Sequence, residues 1–291
     1  MPAPPPMPPP PTNASRTPSM PPPLPSPASA PGTSSQPKRT FAVNSGVTAD
    51  THRVVIYGPG GVGKTELASL LTQIGKSPLF IDLEEGSRFL DVKRLDPSPT
   101  TFDELRQVLQ DDAVWSGFDT VVVDSLTKAE ELATQWAFRN IPKNERGELA
   151  TSVESYGYGK GFTHIYESFL PLLGDLDAHI RKGRSVVCIA HECTANAPNP
   201  SGEDWIRFEP RLQSPTGGKA SIRHRVKEWA DHLLYIGFDV SVDRDGKAKG
   251  SGTRAIYPFE LPTWWAKSRK LANVIPYYQG DAEVWRQMFS K

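Results

Sequence analysis

The chain has 291 residues, and its 33 basic side chains balance 33 acidic ones. This zero net charge gives no global argument for a nucleic-acid or membrane partner, so only local patches can supply one. No run of about 18 apolar residues occurs, and we therefore expect no membrane-spanning helix and no membrane partner. The two cysteines, Cys188 and Cys193, have a single C-x₄-C spacing. This spacing is weak evidence for a metal site, and so few cysteines are typical of a protein from a reducing compartment. The composition predicts a cytoplasmic protein.

The first 43 residues differ from the rest, because 16 of the 29 prolines lie within the first 40 positions. Such a segment has too few large apolar side chains to offset its ordering entropy, so residues 1–43 are predicted to be disordered. It has no basic segment followed by an apolar one, which argues against a secretory signal. A tether or solubilising tail is favoured over docking of its P-x-x-P pieces on an aromatic groove. Residues 44–291 are predicted to form one domain.

The strongest signal is a G-x-x-x-x-G-K-T stretch that follows a β-branched run and precedes an apolar run at helical spacing. Its glycines free the backbone to curl around phosphate oxygens, and the following helix adds its N-terminal dipole. Lys64 is expected to reach the β- and γ-phosphates of ATP, and Thr65 to ligate Mg²⁺. The residues predicted to bind nucleotide are Gly58, Pro59, Gly60, Gly61, Val62, Gly63, Lys64, Thr65 and Glu66.

In chain order, short apolar runs alternate with stretches of helical periodicity. The predicted strands are 54–57, 78–82, 119–125, 185–190, 232–239 and 253–257, and the predicted helices are 66–73, 102–110, 127–138 and 156–180. Residues 140–152 and 192–221 are predicted as loops, with a turn at 245–246. The tryptophans near the C-terminus are expected to pack in the core. This alternation predicts an α/β fold with a mainly parallel sheet and helices on both faces.

In such a sheet the ligand lies at the carboxyl ends of the strands. Asp124 ends the third predicted strand and is expected to face Mg²⁺ together with Thr65. Glu84 follows the second strand, where a carboxylate can orient or deprotonate the attacking water, and Glu85 beside it is the alternative. His191 ends the fourth strand, as a contact to the γ-phosphate or as a structural histidine.

These motifs, taken together, resemble the RecA-type recombinase core over about Arg53 to Tyr278. The resemblance implies a RecA-like P-loop ATPase in which Glu84 activates water and His191 stands where the bacterial recombinase has Gln. The segments at 124–127, 156–160 and 189–192 are similar to phage proteins of the fourth group of Sak single-strand-annealing proteins. That similarity implies a role in phage DNA recombination and a location in the host cytoplasm.

Two further sets of basic residues gain a role from this resemblance. Lys267 and Arg269 resemble the basic pair that reaches a neighbouring subunit's ATP, which implies a homo-oligomer built head to tail as a ring or filament. Alternatively, they are ordinary surface charges. The segment from Trp205 to Lys227 has six basic residues against one acid, as expected for single-stranded DNA, although a solvated charge run is the usual alternative. The residues predicted to contact DNA are Trp205, Arg207, Arg211, Lys219, Arg223 and Arg225.

The sequence therefore predicts an ATPase that hydrolyses ATP with Mg²⁺ and binds single-stranded DNA for annealing or strand pairing, beside a single-strand-binding protein. One alternative is a nucleotide-switched DNA-binding mediator without significant hydrolysis, in which Glu84 is idle. Another is a small-molecule kinase whose loop at 192–221 acts as a lid.

Overall fold

The computed structural model describes residues 43, 45–46, 51–217, 219–242 and 248–290, with no side-chain description for 239–242 and 248–251. The chain divides into two compact units, 1–47 and 48–291, and the first lies almost wholly outside the described residues. The prediction of a disordered tail and that of a turn at 245–246 therefore also fall outside the described residues.

The larger unit is built on one mixed sheet. Its described strands are β1 Arg53–Gly58, β2 Pro78–Asp82, β3 Thr120–Asp124, β4 Ser185–Ala197, β5 Trp205–Pro210, β6 His232–Val242, β7 Ala248–Tyr257 and β8 Ile275–Tyr277. The order across the sheet is β2-β3-β4-β1-β6-β7-β8, and β5 pairs with the outer part of β4. β1, β2, β3, β4 and β6 run parallel, whereas β5, β7 and β8 pair antiparallel. The predicted mainly parallel α/β sheet is confirmed.

Helices cover both faces of this sheet. The described α-helices are α1 Lys64–Ser69, α2 Phe102–Gln110, α3 Leu126–Asn140, α4 Lys160–Arg181, α5 Ile222–Trp229 and α6 Glu283–Phe289, with 3-10 helices at Leu70–Ile74 and Glu154–Tyr156. One hydrophobic cluster joins α2, α3, α4 and α5 to one face, and a second joins α1 and α6 to the other. The two faces are buried because the parallel strands are apolar throughout, as in β3, whose residues are all buried.

The helix boundaries follow local capping chemistry. α2 begins after Thr101, whose hydroxyl accepts a hydrogen bond from the Glu104 amide in a capping box. α3 begins after Ser125, which accepts from the Lys128 amide, so Ser125 rather than Thr127 is the N-cap. α4 begins at Lys160 instead of 156, because Gly157 and Gly159 have positive φ angles that interrupt a helix.

The prediction of one long loop over 192–221 is wrong. β4 continues beyond His191 to Ala197 and turns back into β5, so that Glu192 pairs with Pro210 and Ala197 with Trp205. We call residues 192–210 the β4–β5 hairpin. Irregular backbone occupies only the turn of this hairpin and the stretch before α5.

The C-terminal tryptophans pack as expected. Trp285 of α6 is fully buried, and its indole N–H donates to the Leu67 carbonyl of α1 at 2.6 Å. Trp265 is buried against the other face of the sheet. No helix in the described part of the chain is long and apolar enough to cross a membrane.

Candidate nucleotide site

The site residues predicted at the strand ends meet at one edge of the sheet. Gly58 of β1 lies in register with His191 of β4, and Asp82 of β2 with Asp124 of β3. β4 lies between β1 and β3. This parallel arrangement brings the ends of all four strands together, as the chain order predicted.

The loop between β1 and α1 requires glycine at two points where other segments of the same chain approach it closely. A Cβ on Gly58 would collide with the backbone carbonyl oxygen of Ile236 in β6. Gly63 has a φ of 100°, and a Cβ there would lie 2.7 Å from the Arg254 guanidinium. Larger residues at either position would displace the loop, so these glycines keep its curvature.

Lys64 lies inside this loop. Its Nζ donates to the carbonyl oxygens of Gly58 and Pro59, both at 2.8 Å. Burial lowers the pKa of Lys64, an effect opposed first by the charge of Asp124 and then by those of Glu192 and Glu84. A buried ammonium held only by carbonyl oxygens is available to an incoming anion such as a phosphate.

Thr65 and Asp124 place two oxygen ligands side by side. The Thr65 hydroxyl donates to Asp124 Oδ2 at 2.7 Å. Burial raises the pKa of Asp124 to about 6, with the charges of Asp82 and Glu84 adding to this effect and the Thr65 hydrogen bond opposing it. Within the described residues no group of three His, Cys, Asp or Glu side chains could hold a metal. The Thr65 and Asp124 oxygens fit Mg²⁺, which keeps several waters and shares its remaining positions with phosphate oxygens.

Glu84 lies beside this pair and is held by two other side chains. Ser125 donates to Glu84 Oε1 at 2.5 Å, and His191 Nε2 lies 2.8 Å from Oε2. Burial raises the pKa of Glu84, but the bonds to Ser125 and His191 and the charges of His191 and Arg211 outweigh it, so that the pKa is lowered. Glu84 is therefore a fixed carboxylate in the ionised form at the edge of the phosphate loop.

The neighbouring Glu85 is placed differently. It has a left-handed φ of 56°, and its side chain is 70% exposed in a pair with Arg88. Of the two acids that the sequence offered, the backbone therefore directs Glu84 to the cluster and Glu85 to the surface.

Lys267 and Arg269 lie at the opposite edge of the sheet. Lys267 bridges Leu233 near the start of β6, and its Nζ donates to the Glu228 carbonyl at 3.2 Å. Arg269 pairs with Asp231 at 3.1 Å but remains 74% exposed. Neither residue joins the P-loop of its own chain, so their role at a neighbour's site stays a prediction.

The residues predicted to contact DNA divide into two groups. Arg207 and Arg223 are largely buried and both clamp the buried Glu209, at 2.7 and 2.6 Å. The others present exposed side chains, and they are Trp205, Arg211, Lys219 and Arg225. Ile206 of the hairpin is also exposed. Counting charges along the sequence predicted a basic segment, but it could not show that Glu209 neutralises part of it.

Several residues that hold the site in place were not predicted from the sequence. The Thr127 hydroxyl accepts a hydrogen bond from the His191 amide, which ties the end of β4 to α3. Asp82 accepts the backbone amides of Gly86 and Ser87 and shapes the loop that carries Glu84. Both are polar side chains at strand ends or helix starts, and that position was the signal available.

The C-terminal strands support the P-loop from the α1 side. Arg254 donates to the Val62 carbonyl at 2.8 Å, and the Tyr277 hydroxyl donates to the Gly63 carbonyl at 3.1 Å. The Glu66 carboxylate accepts the Gly280 amide, so this predicted nucleotide-binding residue turns its side chain toward the C-terminal segment. No local sequence motif predicts these contacts, because the partners lie about 200 residues apart in the chain.

Comparison with known protein families matches most of the chain to one family. A family model described as AAA domain matches residues 50–270. No curated protein matches the chain. A solved structure of a KaiC-like protein from the hyperthermophilic archaeon Pyrococcus horikoshii OT3 is similar at 15% identity, with a TM-score of 0.40, and the match covers 78% of this chain and 85% of that one. The chain therefore belongs to the AAA domain family.

Proposed function

We propose that this protein hydrolyses ATP and binds single-stranded DNA in an ATP-dependent way, acting in phage DNA recombination by annealing or strand pairing. The observation that carries the proposal is Glu84, fixed by Ser125 and His191 beside Lys64, Thr65 and Asp124. Bound Mg²⁺ would neutralise charge on the phosphates, as it does in P-loop enzymes.

The chemistry of the cluster assigns a role to each side chain. Lys64 binds the β- and γ-phosphates once it leaves the carbonyl oxygens that now hold it. Thr65 and Asp124 offer the metal ligands. Glu84, kept ionised by its hydrogen bonds, orients water and accepts its proton. His191 contacts Glu84 and directly precedes the β4–β5 hairpin, so a change at Glu84 can reach the hairpin through it.

For DNA we propose the exposed members of the predicted set. Trp205 and Ile206 present apolar surface near the tip of the β4–β5 hairpin, and an exposed aromatic side chain can stack on any base. Arg211 and Arg225 supply positive charge for phosphates. We leave Arg207 and Arg223 out of the interface, because Glu209 already pairs with both.

We also propose a head-to-tail oligomer, as a ring or filament. Lys267 pairs with Leu233 near the start of β6 and Arg269 with Asp231, away from the strand ends that form their own nucleotide site, and a head-to-tail contact would let them act on a neighbouring subunit. The similarity to Sak single-strand-annealing proteins supports a place in phage recombination beside a single-strand-binding protein, in the cytoplasm of the host.

One observation favours a second candidate, the nucleotide-switched mediator without significant hydrolysis. Both carboxylate oxygens of Glu84 already have partners, and a lowered pKa makes the carboxylate a weaker base. The kinase alternative is less favoured, because most of the loop at 192–221 that was expected to act as its lid forms the β4–β5 hairpin.

The experiment is the steady-state ATPase rate of the full chain, with and without single-stranded DNA. Lys64→Ala and Glu84→Gln test the site, and Glu85→Gln is the matched control because it makes the same change one residue away. We expect DNA to stimulate the wild type and Glu85→Gln several-fold, and both site variants to lose the rate.

A rate that ignores DNA would contradict the DNA-stimulated ATPase. ATP-dependent DNA binding with negligible turnover, the same in wild type and Glu84→Gln, would select the mediator. Phosphate transfer to a small acceptor, without any response to DNA, would select the kinase.

A further inference from the structure

Arg254 of β7 holds the loop between β1 and α1 from outside the candidate site. Its Nη1 atom donates to the Val62 carbonyl oxygen at 2.8 Å, and its guanidinium carbon lies 4.5 Å from the centre of the Tyr277 ring. Arg254 and Tyr277 are paired across β7 and β8, so their side chains leave the same face of the sheet. The strand pairing and the ring therefore fix the guanidinium where it meets the loop.

This contact is close because Gly63 has no side chain. A Cβ there would lie 2.7 Å from Arg254 Nη1 and 3.1 Å from the Tyr277 ring. Gly63 has left-handed backbone angles, with φ 100° and ψ 24°, and Lys64 begins α1 directly after it. A left-handed residue beside a right-handed one turns successive N–H groups toward one concavity, which suits an anion. The amides of Gly63 and Lys64 are therefore placed to meet a phosphate.

The Val62 carbonyl determines where the Gly63 N–H points. The two groups belong to one planar trans peptide unit, in which the C=O and the N–H point in opposite directions. Because Arg254 holds the carbonyl, the N–H is directed away from β7 and toward the concavity. The next peptide is held by the helix itself, since the Gly63 carbonyl accepts the Leu67 amide of α1 at 2.8 Å. The orientation of the Gly63 N–H therefore depends on Arg254 more than that of the Lys64 N–H does.

The charge of Arg254 also strengthens this donor. Hydrogen bonds that follow one another in a chain polarise each other, so a carbonyl that accepts from a cation makes the N–H of its own peptide a better donor. A bound phosphate would complete a chain that runs from the guanidinium through one peptide unit to a phosphate oxygen. Arg254 can raise the affinity for phosphate in this way without contacting it.

We propose that Arg254 is a positioning residue for phosphate, which acts through the Val62–Gly63 peptide and not by direct contact with the nucleotide. This inference rests on the nucleotide-binding part of the proposed function, and it does not depend on DNA binding or on hydrolysis. It gives the antiparallel strands β7 and β8 a role in phosphate affinity, although neither contains a residue of the loop.

The first test is the affinity of the full chain for a fluorescent non-hydrolysable ATP analogue with Mg²⁺. Arg254→Met removes the charge and the donors but keeps an unbranched stem on the Tyr277 ring, and we expect the affinity to fall about tenfold. Arg254→Lys restores a charged donor and should recover most of this loss. Arg181→Met, the same change at an exposed arginine at the end of α4, should bind as the wild type does.

The second test separates phosphate from the rest of the nucleotide. Inorganic tripolyphosphate should displace the analogue from the wild type, and Arg254→Met should lose as much affinity for tripolyphosphate as for the analogue. Tyr277→Phe keeps the ring beneath the guanidinium and removes the hydroxyl that donates to the Gly63 carbonyl. It should bind within about twofold of the wild type, because the Leu67 amide still holds that carbonyl.

Thermal unfolding shows whether each variant is folded. If Arg254→Met is not, Arg254→Gln replaces it, with an expected loss of about threefold because an N–H donor remains without the charge.

A wild-type protein that binds no analogue would overturn both the proposed function and this inference. Three results would overturn the inference alone. They are an unchanged affinity in the Arg254 variant that lacks the charge, a loss for the analogue but none for tripolyphosphate or no displacement by it, and an equal loss in Arg254→Lys or Tyr277→Phe.

Discussion

Glu209 should be essential to the stability of the β4–β5 hairpin. Its side chain is 5% exposed and bonds Arg207 at 2.7 Å and Arg223 at 2.6 Å, whose own side chains are 16% and 13% exposed. Glu209→Gln would leave two largely buried guanidinium groups with a neutral partner. Removing one member of a buried ion pair destabilises a protein by roughly 3–5 kcal/mol.

The geometry places the expected loss near the lower end of that range. Arg207 retains Glu260 at 3.3 Å, and its guanidinium lies 4.7 Å from the centre of the Trp265 ring. The Arg223 guanidinium retains its hydrogen bonds to the Leu212 carbonyl, at 2.9 to 3.1 Å. We therefore expect Glu209→Gln to lower the free energy of unfolding by about 3 kcal/mol. For a folded unit of this size that corresponds to a fall in Tm of roughly 6–12 °C.

The assay is urea unfolding followed by tryptophan fluorescence, because the Trp265 ring packs on the Arg207 guanidinium of this ion cluster. Glu203→Gln removes an exposed acid from the same hairpin and serves as the matched control, with an expected change below about 0.5 kcal/mol. A loss below about 1 kcal/mol in Glu209→Gln would refute the reasoning. It would mean that Arg207 and Arg223 are weakly held and are available to DNA phosphates after all.

Three further outcomes are expected. Ser125→Ala removes the N-cap of α3 and the hydroxyl that donates to Glu84. It should lower the free energy of unfolding by about 1 kcal/mol and also slow ATP turnover. Unchanged turnover would show that Ser125 does not contribute to the chemistry. Since burial raises the pKa of Asp124 to about 6, the stability it gains from protonation is present below about pH 4 and lost as pH rises through 6. Without nucleotide or Mg²⁺, Asp124→Asn should therefore melt above the wild type at pH 7.5 and equal it near pH 4, and a pH-independent difference would contradict this. Trp285→Ala should destabilise by roughly 3–5 kcal/mol in urea unfolding, since it empties a fully buried site and frees the Leu67 carbonyl, and a change below 1 kcal/mol would refute that packing.

The parallel core could be predicted from sequence because its signals are local. The strand that ends at Asp124 is a β-branched run bounded by polar residues, and its burial on both faces leaves no alternation to confuse the pattern. Chain order then places polar strand ends together, because parallel strands finish at the same edge. The positions of Glu84, Asp124 and His191 at one edge of the sheet could be predicted in this way.

The hairpin could not be recognised by the same signals. β4 changes character at His191, from a strand buried on both faces to one whose residues alternate in exposure. The turn segment from Pro198 to Gly202 is rich in Pro, Asn, Ser and Gly, and this composition predicts a loop for the whole stretch. The alternation of apolar and polar side chains over Ile206-Arg207-Phe208-Glu209 was the available counter-signal, with Phe208 packed against the core.

Charge pairing was beyond any reading of the sequence. Arg207 and Glu209 are neighbours on one face of β5, but Arg223 lies 14 residues away on α5 and reaches the same carboxylate only in the folded chain. A basic segment and a neutralised ion cluster have the same composition. The distinction decides which residues can meet a polyanion.

The end of β4 carries two successive side chains that lead from the candidate site into the hairpin. Successive side chains of a strand point to opposite faces, so Glu192 points away from the face on which His191 contacts Glu84. Because β4 continues without a break into the hairpin, a displacement at His191 or Glu192 acts on a strand that is paired with β5 and not on an irregular loop. Antiparallel pairing with β5 and the stacked rings at Phe208 resist bending at that point. The length of β4, which sequence patterns underestimated by seven residues, is what joins the nucleotide site to the exposed Trp205.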